Sequence, residues 1–333
     1  MSKSTRLAKS FYKLLFPVVL LVVVAGSAAA VWFVSQSSHP QTAAYLVTPD
    51  KYGRLSARGS QVTEETWTNR DGTTARGWLL RGTDNAPAVV LLHKYGADRS
   101  HLLNLGVKLN EATNFTILMP DQRGHGQNPP VTYTSFGGCE STDAVSAIEF
   151  LRTLKSSTQG TLVSNDIGIY GLEMGSLAAL NAASQNEFVK ALVLDSVPAD
   201  SDSLVASVID NRFPFVSTVT SKLGQLGAYP YFYEGCYSRT PACDSAKTMN
   251  NRKAMLLAGT DAPEFQDSTS KLAKCFPNST QAEANTGLSP SGFSVINASI
   301  PVSEAYDQRV IDFFRNSLGE PVMIASEPPP PVN

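Results

Sequence analysis

No charge of either sign dominates this chain: 27 Lys and Arg face 29 Asp and Glu, and the formal net charge is −2. The basic excess that marks a nucleic-acid-binding surface is therefore missing. No CxxC pair and no His–Cys cluster is present, which removes the usual ligand sets for structural zinc. No internal repeat is detectable, so solenoid and propeller architectures are excluded. Histidine is scarce, with only His39, His93, His101 and His125. Any chemistry that needs an imidazole must draw on these four. Nothing in the motifs calls for a cofactor.

What is present suits one sizeable globular domain with appendages: 333 residues, 42% hydrophobic and 17% charged. Lys3, Arg6, Lys9 and Lys13 precede an uncharged run at residues 14–34. As a helix rising 1.5 Å per residue, that run spans about 30 Å, the thickness of a bilayer's hydrocarbon core. The basic segment 1–13 is expected to stay cytoplasmic, which places everything after Ser35 on the extracytoplasmic side. A cleavable signal peptide is the competing reading, with Ala28-Ala29-Ala30 as the small-residue site after an apolar core at residues 14–24. Val31-Trp32-Phe33-Val34 continues the apolar run and puts Trp32 at the interface, which favours an uncleaved single-pass anchor. Either reading exports the domain; in the anchor reading the membrane is a partner through the N-terminal helix.

An exported domain permits disulfides. Cys236 and Cys243, closing a short loop around Pro241, form the better candidate pair; Cys139 and Cys275 are left to each other, and four unpaired thiols are the alternative. Residues 35–58 read as a polar linker. Residues 320–333 read as a Pro-rich tail that favours extended polyproline conformation. That tail is either a disordered end or a ligand for a proline-binding module.

Between linker and tail, residues 59–319 alternate strand-like and helix-like patterns, the signature of an α/β fold. Runs at residues 61–68 and 74–80, separated by Asn69-Arg70-Asp71-Gly72, read as an initial hairpin. Buried-type strands follow at residues 88–92, 115–119, 167–170, 191–194 and 254–258, each apolar enough to be covered on both faces. Stripes such as Leu102, Leu105, Leu109 and Tyr306, Val310, Phe313, Phe314 mark crossover helices. Residues 197–252, after the sixth strand, break the alternation with prolines and aromatics. They form an insertion over the sheet, either a lid or simply a unit packed on its own aromatic core.

The most informative segment is Ile169-Tyr170-Gly171-Leu172-Glu173-Met174-Gly175, a strand-to-helix turn followed by a helix over residues 174–183. Two glycines four apart allow the tight turn. Three further motifs stand in order with it. They are Val89-Val90-Leu91-Leu92-His93-Lys94-Tyr95-Gly96-Ala97-Asp98-Arg99-Ser100, then Met119-Pro120-Asp121-Gln122-Arg123-Gly124-His125-Gly126, and finally Leu192-Val193-Leu194-Asp195-Ser196. Together they resemble the α/β-hydrolase superfamily over almost all of residues 60–318. The resemblance implies a mostly parallel, doubly wound sheet and a nucleophile elbow built around Gly171 and Gly175.

The resemblance also implies a mechanism, and the chain departs from it. An elbow nucleophile would be activated by a histidine oriented by an acid, with backbone amides of Tyr95 and Met174 stabilising an oxyanion. The nucleophile position is Glu173 and the acid position is Asp261. The histidine belongs in the loop before the last helix, expected at residues 281–301, and none is there. His93 and His125, with Asp121 and Arg123, fall in motifs that the family uses structurally. An elbow carboxylate attacks saturated carbon in dehalogenases and epoxide hydrolases, yet hydrolysis of its ester still needs the histidine. Lys94 stands where the oxyanion loop usually has glycine, and is expected to pair with Glu173 or to point into solvent. Three function classes follow: a degenerate hydrolase that binds or scaffolds, with a small apolar ligand or an envelope protein as partner; an active hydrolase using Glu173 with Asp261, His93 or His125; and a structural subunit.

Overall fold

The computed structural model describes residues 3–41, 44–52, 61–214, 217–233 and 235–319. The Pro-rich tail 320–333 and part of the 35–58 linker lie outside the described residues. Eight strands form one sheet: β1 Val62–Thr68, β2 Thr74–Leu80, β3 Ala86–Leu92, β4 Thr116–Pro120, β5 Val163–Leu172, β6 Val189–Asp195, β7 Lys253–Gly259 and β8 Gln281–Leu288. The helices are α1 Lys3–Ser38, α2 Pro49–Tyr52, α3 Leu103–Thr113, α4 Gly138–Thr153, α5 Met174–Ser184, α6 Ser201–Arg212, α7 Ser217–Tyr231, α8 Ala242–Lys247, α9 Pro263–Leu272 and α10 Ile300–Leu318.

The spatial order is β1-β2-β4-β3-β5-β6-β7-β8. β1 with β2 and β2 with β4 are antiparallel, and the remaining pairs are parallel. Every residue of β3 and β4 is buried, because helices cover both faces of the sheet. Val90, Leu92 and Ile169 share one core with α4 and α5, while Val89, Leu91 and Tyr170 face the other way onto α3 and α10. β4 and β5 flank β3, so the chain changes winding direction there and leaves a crevice at the carboxyl ends of β3 and β5.

Two expectations need correction. Residues 281–288, assigned to the loop before the last helix, form the edge strand β8; the loop is shorter and starts after Leu288. Side chains of β8 are mostly exposed, so no apolar pattern announces it. The cysteines pair as Cys139–Cys236 and Cys243–Cys275, closing separations of 97 and 32 residues. Cys236 and Cys243 are close in sequence but face different partners: the start of α4 lies against the Cys236 backbone, and α8 packs on α9. Long loops closed this way remove the most unfolded-state entropy, roughly 3 to 5 kcal/mol each in a chain-entropy account.

Residues 15–38 of α1 are long and apolar enough to cross a membrane, with mean hydropathy 2.5. Leu15 to Val24 are exposed, whereas Ala30, Val34, Ser37 and Ser38 are buried against α7, α6 and the loop at Thr134. Helices α6 to α8 lie between β6 and β7; α6 and α7 roof the carboxyl edge of the sheet, while α8 packs on α5 and α9.

Candidate functional site

The elbow is wedged between its own helix and the end of β3. A side chain at Gly171 would overlap the Gly175 carbonyl and Ser176, and one at Gly175 would overlap the carbonyls of Leu92 and His93. Glu173, at the apex, takes φ 50° and ψ −109°, a left-handed backbone that costs a non-glycine residue on the order of 1–3 kcal/mol. The surroundings impose it: Glu173 N donates to Asp195 O at 2.9 Å, and Glu173 O accepts from Ser176 N at 2.9 Å and Leu177 N at 3.2 Å. The side chain is thereby held at the carboxyl edge, beside the loop that follows β3.

There the carboxylate meets two amides. Glu173 Oε2 accepts from Tyr95 N at 2.7 Å and from Met174 N at 3.3 Å. These are the two amides for which the resemblance implies an oxyanion-binding role, and here the chain's own carboxylate oxygen lies between them. Burial raises the Glu173 carboxyl to about 7, opposed by those two amide hydrogen bonds and by the charge of Lys94.

Lys94 corrects the expected pairing. Its Nζ donates to Phe293 O at 2.7 Å and sits 3.8 Å from the centre of the Phe293 ring. A short reach to a carbonyl over an aromatic face satisfies the cation, so it neither closes an ion pair with Glu173 nor points into solvent. Burial lowers its pKa, with Glu173 and Asp261 pulling it back.

The loop that should carry the histidine is occupied by Ser291. Asp261 Oδ1 accepts from Ser291 N at 2.8 Å and Oδ2 from Ser291 Oγ at 3.1 Å, and Ser291 is fully buried. Asp195, at the end of β6, holds the next residue: its Oδ2 accepts from Gly292 N at 2.8 Å and Tyr306 Oη at 2.7 Å, and its Oδ1 from Ser196 Oγ at 2.8 Å. Burial raises the Asp195 carboxyl. Asp195 and Ser291 sat within segments that the sequence singled out. Their partnership across the sheet edge, and the parts of Phe293 and Tyr306, carried no local signal.

The histidines nearest the site are committed to backbone. His93 Nδ1 lies 2.8 Å from Lys94 O and its Nε2 accepts from Gln122 N at 3.1 Å; His125 Nδ1 lies 2.9 Å from Arg123 O and its Nε2 accepts from Gly96 N at 3.0 Å. One neutral tautomer satisfies both contacts of each ring, and burial pushes both pKa values down to about 4. Asp121 takes hydrogen bonds from Tyr45 Oη at 2.7 Å and Arg99 N at 3.1 Å, while Arg123 is held by Asp143 at 2.7 Å and Asp71 at 2.9 Å. These groups brace the turn beneath the site. His39 bonds Ser35 O on α1, and His101 lies beside Asp98.

Over Glu173 the space is filled. Phe136, Met174, Leu204 and Phe232 form one apolar cluster with Val34 of α1, and Tyr95 Oη donates to Ser37 O at 2.7 Å. The end of α1 thus touches the loop that supplies an amide to Glu173. On the other side of Lys94 a cavity of about 300 Å³ opens between the oxyanion loop, α3 and α10, lined by Leu102, Leu105, Phe293, Val295 and Tyr306. Among the described residues no cluster of His, Cys, Asp and Glu could hold a metal ion.

No family model matches the sequence, and no curated protein does. Solved structures match the fold. An esterase of Pyrococcus furiosus aligns at TM-score 0.61 and 18% identity, over 84% of this chain and 100% of its own. A dienelactone hydrolase of Anabaena variabilis aligns at 0.51 and 16%, over 78% of this chain and 99% of its own. An acylaminoacyl peptidase of Pyrococcus horikoshii aligns at 0.56 and 16%, over 82% of this chain and 44% of its own. The chain has the α/β-hydrolase fold.

Proposed function

We propose that this α/β-hydrolase-fold protein is anchored in a membrane by α1, faces the extracytoplasmic side, and works by binding or scaffolding rather than hydrolysis. One observation carries the reading: Glu173 Oε2 sits between the amides of Tyr95 and Met174. In a hydrolase such amides are kept free for charge that develops in the transition state, and their loss costs roughly 3 to 4 kcal/mol of barrier. A resident carboxylate blocks that use.

The remaining chemistry supports the same reading. Ser291 cannot replace a histidine as base, since its hydroxyl is spent on Asp261. His93 and His125 are locked neutral beneath the site. The cavity beside Lys94 offers room for a small apolar ligand, and the roof offers a surface for an envelope partner. Two disulfides suit an oxidising compartment, and burial of Ala30 and Val34 against the roof supports retention of the apolar segment.

The test is turnover of p-nitrophenyl esters and haloalkanes by the full chain beside its Glu173→Gln variant. The expected result is no turnover above background in either. A rate that the wild type shows and Glu173→Gln loses would establish the active-hydrolase alternative. Amino-terminal sequencing of the mature protein separates an anchor, which keeps residues 1–30, from a signal peptide cleaved after Ala30.

A further inference from the structure

The cavity of about 300 Å³ on the far side of Lys94 lies at the lower end of the range for ligand pockets, roughly 300–1,000 Å³. Glu173 is not part of its lining. Three stretches wall it. Leu102 and Leu105 come from α3, Val295 and Ile296 from the loop before α10, and Leu46 and Val47 from the segment ahead of α2, pinned where Leu46 N donates to Ser100 Oγ at 3.0 Å. The rim is apolar as well: Leu46 and Ile296 are exposed, as are Ile300 and Val302 at the start of α10. An apolar interior with an apolar entrance suits the body of an apolar molecule.

Most polar groups of the lining are already engaged. Tyr306 Oη donates to Asp195 Oδ2 at 2.7 Å, Ser100 Oγ to Asp98 Oδ1, and Ser303 Oγ to Ile300 O at 3.0 Å. Asp307 Oδ2 accepts from Lys108 Nζ at 2.7 Å and Asn104 Nδ2 at 2.9 Å, so the carboxylate on the cavity wall already has its cation. His101 lies beside Asp98.

Lys94 differs. Of its three N–H donors, one goes to Phe293 O at 2.7 Å, and the ammonium stands over the Phe293 ring. Among the described residues no carboxylate oxygen comes within 4.0 Å of it. Glu173 and Asp261 act on it only from a distance. A part-buried cation gains more from a contacting counter-charge than one in open water, because its surroundings screen less. One such cation on the wall of an apolar cavity matches one anionic group on an apolar body. A dianionic head such as phosphate would leave charge unmatched and out of water.

We propose that this cavity binds a small apolar monocarboxylic acid, with its carboxylate on Lys94 Nζ and its apolar body between α3 and the loop before α10. The proposal rests on the reading of this chain as a binding module and names the ligand class of that cavity. Lys94 precedes Tyr95, whose amide holds Glu173, and Phe293 follows Gly292, which Asp195 holds. The ligand thus grips the two loops that carry these contacts.

The test is isothermal titration calorimetry of the full chain in lipid nanodiscs, with the heat of empty nanodiscs subtracted. The probes are phenylbutyrate and phenylbutanol, which share an apolar body and differ in charge. Wild type is expected to bind the acid saturably and about tenfold or more tighter than the alcohol, the scale of a hydrogen bond between charged groups. Lys94→Met is expected to bring that ratio to about one and Lys94→Arg to keep it. Ile296→Trp, on the exposed rim, is expected to weaken both probes. Equal affinity of the wild type for acid and alcohol overturns the proposal and leaves an apolar-ligand cavity standing. So does a preference that survives Lys94→Met, or acid binding that Ile296→Trp leaves unchanged, since the acid then sits elsewhere. No saturable binding of either probe overturns the proposal and the ligand-binding role of this cavity together. Should Lys94→Met fail to fold, the wild-type ratio and the Ile296→Trp result decide.

Discussion

The elbow after β5 and the loop after β8 face each other across the carboxyl edge of the sheet, and they depart from a hydrolase centre in different ways. At the elbow the backbone device is intact: Glu173 keeps a left-handed φ of 50° between two glycines that leave no room for a Cβ. Only the apical side chain differs, and it folds back onto the amides that would serve a substrate. In the loop the fixed point is an acid, Asp261, and no histidine lies there. Asp261 still grips the position, but through the main chain and hydroxyl of Ser291. The difference teaches that the elbow is fixed by close backbone packing, whereas the loop is fixed by a carboxylate that follows β7.

The sharpest way to break this comparison is Gly175→Ala. Its Cβ would strike the carbonyls at the end of β3, so a loss of about 4 kcal/mol is expected, read as a lower urea midpoint of the full chain in detergent. If the variant is near wild type, the elbow backbone is not under the constraint described.

A pH series tests the buried carboxylate. Its folded pKa of about 7 lies above the ordinary 4.5, so the folded state holds the proton more tightly, and stability conferred below pH 4.5 is lost as pH rises toward about 7. Relative to Glu173→Gln, wild type is expected to lose about 3 kcal/mol over that window. The two buried histidines act in the opposite sense: their pKa values near 4 destabilise the fold as pH falls below about 6.5. They cancel in the comparison of the two proteins. A flat difference across the window would show that Glu173 is not buried as described.

Glu173→Leu keeps the volume and removes the acceptor, leaving the Tyr95 and Met174 amides buried without a partner. A loss of about 2 kcal/mol at pH 6 is expected, whereas Glu173→Gln, which still offers an oxygen and is neutral like the protonated acid, is expected within about 1 kcal/mol of wild type near pH 4.5. Equal stability of the Leu and Gln variants would mean that the two amides find other partners.

The smallest effect belongs to the loop. Ser291→Ala removes the hydroxyl's hydrogen bond to Asp261 and the one it accepts from Phe293 N, while the main-chain bond to Asp261 stays, and about 1–2 kcal/mol is expected from chemical denaturation. A loss as large as that of Gly175→Ala would erase the contrast between the two regions.

Much of this was legible in the residues. Glycines at 171 and 175, apolar runs at β3 to β7, and the order of four motifs specify the fold because turns, burial on two faces and close backbone approach each demand particular residue types. Glu173, Asp261, Tyr95 and Met174 were locatable only through the resemblance to the α/β-hydrolase superfamily that those motifs carry. The edge strand β8 was not, since a strand with exposed side chains needs only backbone partners. Cysteine pairing was not either, because the partners come from α4, the stretch between α7 and α8, α8 itself and the turn after α9, which only packing brings together.

The sequence by itself determined that an elbow is present, that its apex is a carboxylate and that no histidine is available behind it. Tertiary structure decided where the carboxylate points, that Lys94 turns to Phe293, that Ser291 bonds Asp261, and that the end of α1 packs on the roof. The reason is physical: a turn is dictated by residues adjacent in the chain, whereas a buried charge takes whichever donors the packed fold brings within 3 Å, and these come from strand ends far apart in sequence.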